Sequence, residues 1–505
     1  MSEPAPTQRR KAAAITFAGS TATALVASLQ AVVLMPLYLH YIGPKVYGAW
    51  LASGEMLVMM LAFDMGIPNL LIQRVGAALA AGDRRLIGAY FGTGVCILLC
   101  FTALLAGGLL LVSPFIAGWM HLHGHDAESL RGAFLLGSTA TCCMIVNYVF
   151  QGLARGIQNT AMVNAGAFAG TVAGFAVNTW LLISGYGLYS IAAGLIARTS
   201  ITLLASLYFL FFQVDRDIRR SIRIDRSVGI EFWRLSPPLF VSGLSYTLMR
   251  NSQVLIAGLV LGPVSASVFG LTRKAADLAG TVLDSVGQAS YGGFANLYAT
   301  GDKARSRSVY REVVAIYLAI GIALMCAYVA VNPGLVRVWA GREMYGGPVL
   351  TVLLAMSVLI GGWSYFTLSL YRATDHHRQS SAALLLECGC RLPLMLGLVH
   401  WLGLPGLAIG AIATGLVSGF WAHGRLDALM PAAGQGTLTK VWAGRAAVVS
   451  LGLLLCTVGT PASWIYVLAV GGGMLGLAAV TFVWVDPMLM RVRAILSRKL
   501  VGVAK

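Results

Sequence analysis

The chain has 505 residues, of which 58% are hydrophobic and 11% charged, and its mean hydropathy is +0.78. Ordinary soluble domains carry about 25% charged residues, so the soluble classes are excluded. At roughly 20 residues per transmembrane helix, about fourteen spans use up the length and leave no separate globular domain. The 36 Lys and Arg against 19 Asp and Glu are explained by basic loops held on the cytoplasmic side of a membrane, and they call for no nucleic-acid partner.

In chain order, apolar runs predict helices over 14–37, 48–66, 87–112, 132–153, 161–184, 188–212, 237–260, 264–288, 312–335, 348–371, 381–401, 406–426, 446–460 and 464–485. The fold class expected is an all-α polytopic membrane protein with about fourteen transmembrane helices. With the N-terminus in the cytoplasm, 27 basic residues fall inside, 4 outside and 5 within spans. Both termini are therefore expected to be cytoplasmic. The first run is read as a retained helix, since it is too long for the apolar part of a signal peptide. All eight Cys fall inside predicted spans and suggest neither disulfides nor a zinc site.

Landmarks of the first half recur 219 residues later. Gly43-Pro44 matches Gly262-Pro263, Ala80 to Arg84 matches Ala299 to Lys303, Val112-Ser113-Pro114 matches Val331-Asn332-Pro333, and Gly187-Leu188 matches Gly406-Leu407. Six helices per copy give two parallel lobes related by a pseudo-twofold along the membrane normal, with a substrate site expected between them. The divisions expected are an N-lobe over 1–212, a basic cytoplasmic linker over 213–236, a C-lobe over 237–430, and two further helices with a basic tail over 431–505.

Ionisable residues inside a bilayer cost at least about 2.5 kcal/mol and usually face a cavity or a partner. Arg273, Asp277, Asp284 and Gln288 are spaced by 4, 7 and 4 residues, which places them on one stripe of a helix. Two readings stand side by side: a lumen wall whose carboxylates carry a coupling ion, or an Arg273–Asp277 pair that only holds helices together. Glu55 and Lys274 are equivalent under the 219 offset and present opposite charges, a latch between lobes. Arg250 lies well beyond snorkelling reach of the cytoplasmic end of its predicted helix. It is the first candidate for phosphate or an acidic sugar, since guanidinium pairs with phosphate oxygens, and Arg198 at mid-span joins it. Glu387 and Arg391 are spaced i,i+4 and read as an internal structural pair. Asp64, in Asp64-Met65-Gly66-Ile67-Pro68, marks an interrupted helix end, with gating and termination both open.

His121, His123 and His125 match no closed metal site and read as a solvated loop, as do His376 and His377. Tyr38, Tyr41, Tyr47 and Trp50 near span ends read as interface anchors. No phosphate-binding loop of the ATPase type is present and no loop is long enough for an active site, so no enzyme, cofactor or metal is expected.

The stretch Gly43-Pro44-x-x-Tyr47-Gly48-x-Trp50, with Asp64-x-Gly66 and Arg74, resembles the polysaccharide transporter (Wzx-type) flippases of the multidrug/oligosaccharidyl-lipid/polysaccharide (MOP) exporter superfamily; Ala80 to Arg84 and Gly187-Leu188 are similar too. The resemblance implies a flippase of the bacterial cell inner membrane. It would move undecaprenyl-diphosphate-linked oligosaccharide to the outer leaflet by alternating access coupled to a proton or sodium gradient. Arg250, Arg273 and Arg198 would take the diphosphate, and Asp277 and Asp284 the ion. Partners implied are the lipid-linked oligosaccharide, membrane lipids, and the polymerase and glycosyltransferases of the same pathway. A drug or small-molecule exporter of the same superfamily and a polytopic polysaccharide polymerase are the alternatives.

Overall fold

A computed structural model describes residues 6–430 and 463–485. The predicted helix over 446–460, the basic tail and Cys456 lie outside the described residues. Helices occupy almost all of the rest: α1 (Pro6–Tyr41), α2 (Pro44–Met60), α3 (Ile67–Ala80), α4 (Arg84–Trp119), α5 (His125–Gly156), α6 (Ala161–Ile183), α7 (Leu188–Tyr208), the short α8 (Arg216–Arg220), α9 (Arg226–Leu261), α10 (Pro263–Ala299), α11 (Lys303–Trp339), α12 (Gly347–Arg372), α13 (His377–Leu402), α14 (Leu404–Leu429) and α15 (Trp464–Val485). Among the described residues nine helical segments are long and apolar enough to cross a membrane, two shorter apolar helices accompany them, and α9 and α10, which carry Arg250 and the polar stripe, fall outside that set. The protein is a multi-pass membrane protein.

Several helices outrun their apolar cores. At 1.5 Å per residue the 36 residues of α4 span about 54 Å, against a hydrocarbon core of about 30 Å. Hydropathy marks only the lipid-embedded middle. The charged ends stay helical because carboxylates cap them: Asp83 accepts from the N–H of Leu86 at 2.9 Å, Asp225 from that of Ser227 at 3.0 Å, and Asp302 from that of Arg305 at 3.0 Å.

Contacts divide the chain into two units, 1–267 and 268–505. In the first, α6 packs on α7 and α1, α5 on α4, α3 and α7, and α2 on α9. Helix α9, placed by its sequence position in the second lobe, thus groups with the first unit. In the second unit α14 packs on α12 and α13, and α11 on α12 and α15.

The internal repeat is visible in the turns. Gly43 and Gly262 take φ of 83° and 92°, each directly before a helix, and Gly82 and Gly301 take 73° and 81°, each one residue before the aspartate that caps the next helix. The fourth landmark is corrected. Gly187 does open α7 with φ 53°, but the matching turn before α14 is made by Gly403 at φ 63°, while Gly406 lies inside the first turn of that helix.

The segment 213–236 is docked against α4. Gly88 and Gly92 make room for it: a Cβ at either would fall 2.5–2.6 Å from the backbone of Ser221 or Arg223. The Thr93 hydroxyl accepts the N–H of Asp225 at 2.9 Å, and Val214, Ile218, Val228 and Phe232 enter the hydrophobic core of the first unit.

Three of the four expected interface anchors are core residues instead. Tyr38, Tyr47 and Trp50 are buried, and Tyr41 alone is exposed. The Tyr38 and Tyr47 rings stack at 5.1 Å. Asn178 donates to the Tyr38 hydroxyl, and the Tyr47 hydroxyl donates to the Met35 sulfur at 3.0 Å. Positions near the helix ends are covered here by protein, which sequence distance does not reveal.

Candidate functional site

In the first unit the intramembrane charges are carried by α2, the α2–α3 break, α7 and α9. Arg198 is the eleventh of the 26 residues of the apolar segment Leu188–Gln213, and is half-buried. Helices α6 and α7 come this close because α6 turns glycines toward it: a Cβ at Gly174 would meet the Arg198 Cβ at 2.9 Å. Its carbonyl accepts from the Thr202 hydroxyl at 2.8 Å, but its guanidinium has no ion-pair partner among the described residues. Arg198, Asp64 and Arg155 are the charges that act on Tyr148 of α5. One residue back, Asn147 accepts from the Ser206 hydroxyl at 2.7 Å, so a polar seam crosses the α5–α7 contact.

Asp64 ends a 3-10 turn over Leu61–Asp64 and is followed by Met65 and Gly66, both left-handed. Its carboxylate accepts the Gly66 N–H at 2.8 Å. The chain resumes as α3 to Ala80, so Asp64 stands at the interruption of a 37-residue apolar segment, Pro44–Ala80. Arg250 on α9 donates to the Tyr246 hydroxyl at 2.7 Å, with its guanidinium 6.0 Å from that ring. Glu55 on α2 is half-buried.

In the second unit α10 is continuous, so Arg273, Asp277, Asp284 and Gln288 do form one stripe. It grades from buried to exposed: Arg273 is buried, Asp277 and Asp284 are half-buried and Gln288 is exposed. The Arg273 Nε donates to Asp277 at 2.8 Å, the i,i+4 pair expected. Lys274 is half-buried with no ion-pair partner among the described residues.

Glu387 and Arg391 form a closed buried pair on α13. The Arg391 Nε donates to the Thr414 hydroxyl at 2.9 Å. The other Glu387 oxygen accepts from Ser418 at 2.5 Å and Ser364 at 3.2 Å. With every charge answered, this network ties α12, α13 and α14 together and offers no group to a ligand.

Two further networks lie beyond the candidate binding residues, the second of them on Arg74 of the motif that carries the family resemblance. Arg307 pairs with Asp427 at 3.2 Å, and the Tyr310 hydroxyl bonds the His423 ring at 2.5 Å, joining α11 to α14. Arg74 pairs with Glu231 at 2.5 Å, and the Tyr90 hydroxyl donates to the same carboxylate at 3.2 Å. Among the described residues no group of three His, Cys, Asp or Glu gathers as metal ligands. His121, His123 and His125 are exposed at the α4–α5 turn. His376 stacks on Tyr371 at 4.8 Å.

The family described as polysaccharide biosynthesis protein matches residues 14–290, more than half of the chain. The chain belongs to that family. No curated protein matches it. Solved structures carry the same fold. An inward-facing multidrug resistance MATE family transporter of the MOP superfamily superposes with a TM-score of 0.69 at 16% identity, over 79% of this chain and 95% of that one. A MOP superfamily transporter from Pyrococcus furiosus, described by the reversed polarity of its binding pocket, gives 0.63 at 15% identity over 83% and 96%. The outward-facing form of a MATE family transporter gives 0.60 at 16% identity over 84% and 97%. This member of the polysaccharide biosynthesis family therefore has the MOP-superfamily fold, as the residues around Gly43 to Arg74 led one to expect.

Within this family member, two residues missed by sequence reasoning complete the candidate site. Tyr246 stands four residues before Arg250, a spacing that alone puts the two side chains together. Tyr148 carries no such signal, since only the packing of α5 brings it within the field of Arg198 and Asp64.

Proposed function

We propose that this chain is a transporter that carries undecaprenyl-diphosphate-linked oligosaccharide from the inner to the outer leaflet of a bacterial cytoplasmic membrane, for assembly of a surface polysaccharide. The observation that carries the reading is Arg198, a guanidinium at mid-span that forms no ion pair among the described residues. An unanswered cation at that depth is costly, and a phosphate-bearing substrate removes the cost when it binds. Guanidinium is suited to the task because its fixed fork makes paired hydrogen bonds to phosphate oxygens. Arg250, held by the Tyr246 hydroxyl, and Arg273, paired with Asp277, are further guanidinium groups that their neighbours orient. Membership in a polysaccharide biosynthesis family supports this substrate class.

Asp277 and Asp284 on α10 are the carboxylates for a coupling proton or sodium ion, with Gln288 further along the same face. In this reading both termini are cytoplasmic, and the polymerase and glycosyltransferases of the pathway are the working partners.

The fold neighbours described as multidrug resistance transporters support a second reading, export of small molecules. An apolar or cationic drug gains nothing from an unanswered guanidinium, which favours the anionic lipid. The deciding experiment places purified protein in liposomes with labelled undecaprenyl-diphosphate oligosaccharide and scores arrival at the opposite leaflet, with and without proton or sodium gradients. Arg198→Ala is expected to slow translocation by about tenfold to a hundredfold, the equivalent of one or two charged hydrogen bonds. Equal translocation by the variant would remove Arg198 from the site, and dye export without lipid movement would establish the second reading.

A further inference from the structure

The loop before α4 and the short helix α8 enclose a cleft of about 670 Å³, lined in part by Asp83, Arg84, Arg85, Asp217, Arg220 and Ser221. Its acidic groups are already engaged. Asp83 caps α4 through the Leu86 N–H, while Arg84 takes Asp217 at 2.7 Å and Asp215 at 2.9 Å. Arg85 and Arg220 are exposed and have no ion-pair partner among the described residues. The lining therefore sets three guanidinium groups, Arg84, Arg85 and Arg220, against the two carboxylates of Asp83 and Asp217, an excess of positive charge in which Arg85 and Arg220 remain outside the ion pairs. Its walls are fixed, because the backbone of 218–223 lies directly on Gly88 and Gly92.

The apolar surroundings identify the ligand. The segment that leads into α8 buries Phe209 and Leu210 but turns Phe211 and Phe212 outward, 55% and 73% exposed, and beyond α8 Ile224 and Trp233 are 70% and 67% exposed. Arg219 of α8 donates to the carbonyl of Phe211, tying the apolar stretch to the helix that carries Arg220. Aromatic and aliphatic groups alternating with Arg216, Arg223 and Arg226 form the pattern of a segment lying in a membrane interface. We propose that this cleft binds the phosphate headgroup of an anionic glycerophospholipid between Arg85 and Arg220, with the acyl chains along Phe211, Phe212 and Ile224. A soluble phosphate would satisfy the arginines but leave those apolar groups uncovered. This site is separate from Arg198 and does not depend on the transported substrate.

The test uses the full-length protein in detergent micelles doped with phosphatidylglycerol or phosphatidylcholine, with bound lipid counted by native mass spectrometry. The wild type is expected to retain phosphatidylglycerol about thirtyfold better than phosphatidylcholine, as two arginines near a lipid surface would give. Arg85→Gln with Arg220→Gln is expected to abolish that ratio. Both residues are exposed, and an unchanged thermal unfolding midpoint shows that the variant folds. Arg131→Gln, outside the cleft, should leave the ratio unchanged, and Phe212→Ser should weaken retention of both lipids. Equal retention of the two lipids by the wild type would overturn the proposal, as would undiminished selectivity in the double variant. Displacement of phosphatidylglycerol by millimolar inorganic phosphate would also overturn it, in favour of a soluble anion.

Discussion

The carboxylate of Asp64 accepts the backbone N–H of Gly66 at 2.8 Å, across two successive residues in left-handed conformation. The equivalent stretch of the second copy, around Leu283 to Ser285, lies inside the unbroken α10, so the break belongs to the first copy only. It is a built turn: Gly66 has φ 68° and a Cβ there would meet the Leu239 Cβ at 2.9 Å. Gly66→Ala should therefore destabilise the protein by about 1–2 kcal/mol through the left-handed backbone alone, with the displacement of Leu239 added. Asp64→Asn retains an acceptor and should cost less than Asp64→Ala. Thermal unfolding in detergent ranks the three variants, and a Gly66→Ala protein as stable as the wild type would show that the turn relaxes into a continuous helix.

At the start of α9, Asp225 is held below the usual carboxylate range, first by the Ser227 hydroxyl, which donates to it at 2.5 Å, and by the Ser227 N–H. A depressed folded pKa means that the stabilisation is complete above the unfolded value of about 3.9 and is lost as pH falls through the lower folded value. Hydrogen exchange at the first turn of α9, corrected for intrinsic rates, should stay protected down to pH about 4 and open below it. Asp225→Asn should remove the pH dependence. A wild-type turn that opens well above that range would mean another group controls it.

The membrane class, most of the spans and the repeat were legible from hydropathy and turn residues, because lipid imposes apolar runs and glycine imposes its φ at loops. Helix ends were not, since capped, charged turns at 83, 225 and 302 carry no apolar signal. Partners at i,i+4, Arg273 with Asp277 and Glu387 with Arg391, were legible because one helix fixes both. Ser364 and Ser418, which close the Glu387 network, come from two other helices that only folding brings there. The docking of 213–236 was missed for a similar reason: it rests on Gly88 and Gly92, whose meaning is the close approach of a distant backbone.

Of the two carboxylates of the α10 stripe, Asp277 is tied to Arg273 at 2.8 Å, and Arg273 is buried. Asp277→Asn should therefore cost stability, about 1–3 kcal/mol for the weakened charged bond, whatever it does to coupling. If both carboxylates serve the ion, gradient stimulation of lipid translocation should disappear in Asp277→Asn and in Asp284→Asn, while the rate without a gradient persists. Full stimulation in Asp284→Asn would leave the stripe with the Arg273–Asp277 pair as its only role.

The Glu387–Arg391 pair supplies the opposite control. Its side chains are 3% and 7% exposed, so removing one partner strands a charge that water cannot reach. Arg391→Met should destabilise the protein by about 3–5 kcal/mol, as should Glu387→Gln to a lesser degree, while the double variant should recover much of the loss because no unpaired charge remains. Thermal unfolding of the four proteins measures the coupling. The double variant should also translocate lipid at close to the wild-type rate, since the network ends on Thr414, Ser418 and Ser364 within its own bundle. A folded double variant that no longer transports would mean that the pair works in the transport cycle, and that its closed geometry is only one of the states it occupies.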